Sequence, residues 1–349
     1  MERKRNIRKQ ALAIVVAAMA GLAGCAGTPA ITDETGEELP GSIASREIVE
    51  VNGKRQGVVI RGHDRNAPVL LWLSGGPGGS ELGWTRRHLS ALEEEAVFVN
   101  WDQPGVGISY AAARWSSVTV ENYVEDTIAM SEYLADRFGR DKIILVGHSW
   151  GSIIGLKAAA RRPDLYSAYV GVAQQVNSRE NDLHGYRMAL EQARTRDAGR
   201  VVKRLEEMGP PPYSTEEGDN YVYLFQKVHV YSPHPSPEPS VTAMLFPREY
   251  NLADSINAVR GLIKGVTNVY PQLHDLDFER KLPEVDLPVY FFTGRYDETC
   301  VQEITYRYFE RLRAPHKEFV WFERSGHNLP YQESEKFVRE FRERVINRS

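Results

Sequence analysis

The chain of 349 residues lacks several things, and each shortage narrows what it can be. It has two cysteines, Cys25 and Cys300, so no framework of disulfides holds it together. It has no His-Glu-x-x-His and no clustered set of metal ligands, so no metal and no other cofactor is expected. The glycine-rich stretch Ser74–Gly79 has neither Gly-Lys-Ser/Thr nor the G-x-G-x-x-G spacing, which weighs against a phosphate cradle. Past the extreme N-terminus no region is basic enough to make nucleic acid an expected partner. What remains is ordinary for a globular chain, with 42% hydrophobic and 26% charged residues. The length suits one large domain, or one domain with an insertion.

No apolar run is long enough for a membrane span either. The longest, Ala11–Ala23, follows the basic residues Arg3, Lys4, Arg5, Arg8 and Lys9 and reads as a secretory signal. It ends in Leu22-Ala23-Gly24-Cys25, which resembles a bacterial lipobox. An ordinary signal peptide with a chance cysteine, or an uncleaved anchor, are the plainer alternatives. The expectation is a signal peptide over 1–24, lipidation of Cys25, a flexible tether over 25–45 and a membrane-anchored place in the bacterial cell envelope outside the cytoplasm. Cleavage removes five positive charges and Glu2, taking the formal net charge from −4 to −8. Acyl chains, rather than surface charge, would then supply the attachment. Cys300 is left as a lone thiol, expected to be a small buried residue.

Beyond the tether, strands and helices alternate. Glu47–Val51 and Gly57–Ile60 flank Asn52-Gly53 as a hairpin. Strands are expected at Val69–Leu73, Ala96–Trp101, Ile143–Val146 and Ala168–Val172, with helices at Thr85–Glu95, Val120–Phe138 and from Ser149 to about Arg162. The rhythm breaks over 176–282, where two proline clusters and helical patches read as an inserted cap. It resumes with strand Val289–Thr293, helix Gln302–Leu312, strand Glu318–Phe322 and a last helix near 333–345. The α/β class follows, a mostly parallel sheet with helices on both faces, its core split between 46–175 and 283–349.

The chemistry centres on Gly147-His148-Ser149-Trp150-Gly151, a G-x-S-x-G between strand and helix. A strand turning straight into a helix puts the serine on a strained turn, where side chains two positions either side would clash. The plain alternative is an ordinary βα turn. A serine hydroxyl needs a base, usually histidine, oriented by a carboxylate. Asp297 and His327 lie in loops after later strands, in the order this arrangement requires. Glu298, Asp254, Asp275 and Asp277 are other carboxylates in reach, and Asp297 could instead cap the helix near Gln302. Of the remaining histidines, His148 neighbours the serine but points away from it, and His63, His88, His184, His229, His234, His274 and His316 lack strand-end context or lie in the cap. An oxyanion would need two backbone N–H donors. One is expected from Trp150 and one from the loop holding Gly75 and Gly76.

With Gly75-Gly76-Pro77-Gly78-Gly79, Asp102-Gln103-Pro104-Gly105-Val106-Gly107-Ile108-Ser109, Gly147-His148-Ser149-Trp150-Gly151-Ser152, Gly294-Arg295-Tyr296-Asp297 and Ser325-Gly326-His327, the sequence resembles the alpha/beta-hydrolases, and among them the proline iminopeptidase-like serine peptidases. The resemblance implies an eight-stranded alpha/beta-hydrolase sheet with a helical cap. It also implies Ser149, Asp297 and His327 as catalytic triad, Gly76 and Trp150 as oxyanion donors, and Gly75 beside the substrate. The sequence departs from the family where Ser74 stands for a histidine and Pro104 for an arginine. The cap has no tryptophan between 150 and 321, and its glutamates (Glu180, Glu191, Glu206, Glu207, Glu216, Glu217) read as solvated helix faces. The expected function is a serine hydrolase of the aminopeptidase kind acting on a small peptide. An esterase on the same triad, or a non-catalytic binding lipoprotein, are the alternatives.

Overall fold

The computed structural model describes residues 26–234 and 239–348. Among the described residues no helix is long and apolar enough to cross a membrane. The expected signal peptide and Cys25 lie outside the described residues.

Eight strands form one sheet: β1 (Ile43–Val51), β2 (Lys54–Gly62), β3 (Val69–Leu73), β4 (Val97–Asp102), β5 (Ile143–His148), β6 (Tyr166–Val172), β7 (Val289–Gly294) and β8 (Lys317–Phe322). Their spatial order is β1-β2-β4-β3-β5-β6-β7-β8. The first two pairings are antiparallel and the other five parallel. The hairpin turns on Asn52-Gly53 and is longer than its apolar residues alone suggested, because the alternating polar residues of β1 and β2 also pair. Strands β3 and β5 are short, apolar and wholly buried, as strands covered on both faces must be. Their side chains alternate between two cores. Leu71, Leu73 and Leu145 pack on one face, while Leu70, Trp72, Ile144 and Val146 pack on the other.

Helices α1 (Leu82–His88), α2 (Val120–Phe138) and α3 (Trp150–Arg161) fill the first half. The expected helix after the glycine loop starts earlier and breaks at Leu89, its second part becoming a 3-10 turn over Ser90–Glu94. Between β6 and β7 come α4 (Ser178–Thr195), α5 (Gly199–Met208), α6 (Gly218–Val230), α7 (Val241–Leu245), α8 (Leu252–Asn268) and α9 (Phe278–Lys281). Then follow α10 (Gln302–Arg311), α11 (Leu329–Gln332) and α12 (Ser334–Arg344).

Among the polar contacts that hold the helical insertion to the core are one buried and two partly buried ones. The Tyr250 hydroxyl lies 2.7 Å from Asp102 at the end of β4. Arg46 of β1 pairs with Asp254 at 2.8 Å, and Arg86 of α1 with Glu249 at 3.1 Å. Helix α8 also sits directly on the glycine loop: a Cβ at Gly265 would lie 2.1 Å from the Pro77 carbonyl oxygen.

The segment expected as a flexible tether is instead folded onto the domain. Thr28 bonds Glu249 at 3.0 Å, Arg61 bonds the Thr28 hydroxyl at 2.8 Å and the Pro29 carbonyl, and Ile31 is buried. Its polar composition suggested solvation, but Arg61 and Glu249 offer it buried partners that composition does not reveal.

The serine turn is a close approach of three backbones. A Cβ at Gly147 would lie 2.4 Å from the Gly151 carbonyl oxygen, and one at Gly151 would lie 2.1 Å from that of Leu73. We therefore expect Gly151→Ala to cost on the order of 1–3 kcal/mol of stability, as overpacking does. Urea unfolding should show this, whereas Gly199→Ala, with nothing within 4 Å of the new methyl group, should leave the midpoint unchanged or slightly raised.

Candidate active site

The parallel strands all end at one edge of the sheet, and the candidate residues collect there. Ser149 follows β5 with φ of +54°, a left-handed value costly for any residue but glycine. The turn is held by the Ser149 N–H, which bonds the Val172 carbonyl of β6 at 3.0 Å. His327 follows β8, and its Nε2 lies 2.9 Å from Ser149 Oγ. Its Nδ1 lies 3.0 and 3.1 Å from the two oxygens of Asp297, which follows β7. Since Asp297 can only accept when ionised, Nδ1 carries the proton and Nε2 is free to accept from the serine hydroxyl. Asp297 is fully buried and is fixed by the N–H groups of Thr299 and Cys300, at 2.9 and 2.8 Å. It does not cap the following helix, whose N-cap is Val301.

The competing carboxylates are engaged elsewhere: Glu298 with His184, Asp254 with Arg46, Asp275 with His274, and Asp277 at the start of α9. Cys300 is buried as expected, and burial pushes its thiol pKa up, so it is held as the unreactive thiol. Among the described residues, Asp297, Cys300 and His327 are the one cluster with three possible metal ligands, and two of them already bond each other.

Trp150 opens α3, so its N–H has no acceptor within the helix and points out of the helix N-terminus. In the glycine loop the Gly75 N–H is taken by Glu81 Oε1 at 3.2 Å, which leaves Gly76 as the loop's next donor. Both glycines line a cavity of about 380 Å³ together with Ser149 and His327. A Cβ on Gly75 would lie 3.3 Å from that of Ser149, so the loop and the serine turn are in contact.

Two supporting residues escaped sequence reasoning. Gln103 sits in the quoted Asp-Gln-Pro-Gly loop, yet nothing there signals its role. Its Nε2 donates to the Ser74 carbonyl at 3.1 Å and its Oε1 accepts from the Trp150 indole at 2.9 Å, so one amide ties the two loops that carry the candidate oxyanion donors. The other is Glu81, directly after the glycine loop. Its carboxylate accepts from the Gly75 N–H, from the Trp72 indole at 2.8 Å and from the Tyr331 hydroxyl at 3.0 Å, and it meets His148 Nδ1. His148 Nε2 in turn lies 3.0 Å from the His327 carbonyl oxygen and must donate to it. A carboxylate with three other donors stays ionised, so both ring nitrogens of His148 carry protons.

The electrostatics agree. Burial alone would push His148 down and Glu81 up, but their mutual charge and hydrogen bonds outweigh this, raising His148 above 6.5 and lowering Glu81 below 4.5. His148 does point away from the serine, and in doing so it clamps the glycine loop to the loop that carries His327.

The decisive comparison covers most of the chain: residues 68–334 match the alpha/beta hydrolase fold family. The chain belongs to that family. A relative, the probable aminopeptidase YbaC of Bacillus subtilis, is 29% identical over 85% of this chain and 95% of its own length. The proline iminopeptidase of Saccharolobus solfataricus is 25% identical over 82% of this chain and 88% of its own. Both agree with the proline iminopeptidase-like resemblance read from the motifs. Among solved structures, VinJ superposes with a TM-score of 0.62 at 20% identity, covering 87% of this chain and 99% of its own, which shows the shared fold.

A buried ion pair that loses one partner typically costs about 3–5 kcal/mol. We expect Glu81→Gln to destabilise the hydrolase on that scale. A raised histidine stabilises below its folded pKa and a lowered carboxylate above its own. The deficit should therefore be widest between about pH 4.5 and 6.5, the unfolded values, and shrink as pH rises from 6.5 through the raised His148 value or falls below 4.5. Denaturant unfolding of both proteins across pH 4 to 9 reads this.

Proposed function

We propose that the chain is a serine hydrolase that forms an acyl-enzyme on Ser149, and that its substrates are small peptides from which it releases the N-terminal residue. The observation that carries the reaction type is the 2.9 Å approach of His327 Nε2 to Ser149 Oγ, with Asp297 on the opposite ring nitrogen. As Oγ bonds to the substrate carbonyl carbon, His327 takes the hydroxyl proton and Asp297 stabilises the resulting imidazolium. The carbonyl electrons move onto its oxygen, held by the Gly76 and Trp150 N–H groups. Collapse of this intermediate breaks the bond to the leaving nitrogen or oxygen, which receives the proton from His327. Water then repeats the sequence and frees Ser149. Support for peptide substrates comes from the names of the two relatives, a probable aminopeptidase and a proline iminopeptidase, matched along more than four-fifths of this chain.

One observation favours a second reading, a carboxylic ester hydrolase. Among the described residues, the cap lines the cavity with Val222, Phe225, Met244, Leu262, Ile263 and Tyr270, and none of its lining residues is a carboxylate that could hold a free amine. A buried cap acid, Asp182, is taken up by Tyr270, whose hydroxyl donates to it at 2.8 Å, and burial pushes it up to about 7. Location belongs to the same proposal: a lipid on Cys25 would tether the enzyme outside the cytoplasm.

Hydrolysis of Pro-, Ala- and Leu-naphthylamides, their N-acetylated forms and short nitrophenyl esters separates the readings. The proposal predicts turnover of the free-amine substrates and a loss of at least about 10³-fold in Ser149→Ala. Ester turnover with no naphthylamide cleaved would overturn the peptidase reading. Full activity in Ser149→Ala would overturn the nucleophile.

A further inference from the structure

Among the described residues, the cap carries an apolar face that nothing covers. Helix α8 buries Ser255, Ala258, Gly261 and Gly265, the two glycines lying against the glycine loop and Gly105. Its other side presents Leu252, Ile256, Val259 and Ile263, each between 42% and 50% exposed. Their spacing of four, three and four residues makes one stripe along the helix. Phe246 and Val241, both 59% exposed, extend it across the preceding segment. Leu262 and Ile263 also line the cavity, so the stripe runs to the mouth of the candidate active site. A soluble monomer rarely leaves a contiguous apolar surface of this kind without a use for it.

Charge is segregated around the stripe. Between residues 239 and 268 the acids are Glu249 and Asp254, both buried and paired with Arg86 and Arg46 at 3.1 and 2.8 Å. The cations Arg248, Arg260 and Lys264 are exposed. An apolar stripe rimmed by positive charge thus sits on a chain whose formal net charge is −4.

The chain's own N-terminal route leads to this face. Thr28 bonds Glu249, which lies three residues from Phe246 on one side and three from Leu252 on the other. Three residues of extended chain reach at most about 10–11 Å, so a lipid on Cys25 would hold Thr28, and with it this part of the cap, within that distance of the membrane surface.

We propose that the α7–α8 face docks on an anionic lipid bilayer, apolar stripe against the acyl boundary and cations at the phosphates, with the cavity mouth opening towards the membrane. Both elements of an interfacial helix are present, an apolar side and flanking cations. The proposal rests on the lipid-anchor reading for the tether, and not on whether the substrate is a peptide or an ester.

The test uses the full chain, purified from membranes and reconstituted in vesicles of phosphatidylethanolamine and phosphatidylglycerol. An environment-sensitive fluorophore is placed on Ile256→Cys or, as control, on Asp141→Cys, which is exposed immediately before β5 at the opposite edge of the sheet. Cys300 is buried and stays unlabelled. Nitroxide lipids should quench the label at 256 several-fold more than the label at 141. Equal quenching in vesicle-bound protein would overturn the docking. So would shielding of position 256 that needs no vesicles and grows with protein concentration, since a second copy would then cover the face. The anchor is read separately: a Cys25→Ser chain that stays in the membrane fraction would overturn the lipidation, and leaves the quenching result to stand on its own.

Discussion

The structure depends on one steric constraint, the near-contact of backbones where β5 turns into α3. Gly147, Gly151 and the Leu73 carbonyl approach so closely that no Cβ fits between them. That contact places Ser149 on a left-handed turn at the centre of the sheet edge, and it brings the N-terminus of α3 beneath it. Because β3, β7 and β8 run parallel to β5, the loops after them open at the same edge. The strands carry the serine, the aspartate, the histidine and the glycine loop to one place without any of those residues being near in sequence.

Buried polar bonds then fix what the strands bring together. Gln103 joins the glycine loop to the Trp150 side chain, while the Glu81–His148 pair joins the same loop to the His327 backbone. Acyl transfer of the kind proposed gains most from donors that are in place before the charge develops. These bonds supply that rigidity by satisfying every buried polar group in the connection, and they leave the side chains of Ser149 and His327 free to move a proton.

The sequence made the alternation of strands and helices legible, and with it the sheet, since short apolar runs and glycine-bounded turns are local signals. The meeting of Ser149, Asp297 and His327 was legible because G-x-S-x-G between strand and helix constrains its neighbours, and loops after later parallel strands open at the same edge. Glu81, Gln103 and the hold of Arg61 and Glu249 on the N-terminal segment were not legible. A buried glutamate or glutamine looks like any surface one until its long-range partners are known, and Glu81 meets Tyr331 across 250 positions. The segment before β1 misled for the same reason, being polar in composition yet bonded to buried ionic groups. The cap was recognisable as an interruption, but its apolar lining comes from three helices and a 3-10 turn whose packing no local pattern reports.

The proposed acyl transfer through Ser149 is checked by trapping the intermediate. The chain is mixed with a slowly deacylated nitrophenyl ester, quenched in acid within the first turnover, and digested for mass spectrometry. Acyl transfer through Ser149 should leave one acyl adduct, on Ser149 in the peptide spanning the G-x-S-x-G turn, absent from Ser149→Ala and accumulating in His327→Ala far more slowly. An adduct on another residue, or sustained turnover with no adduct at any time point, would contradict it.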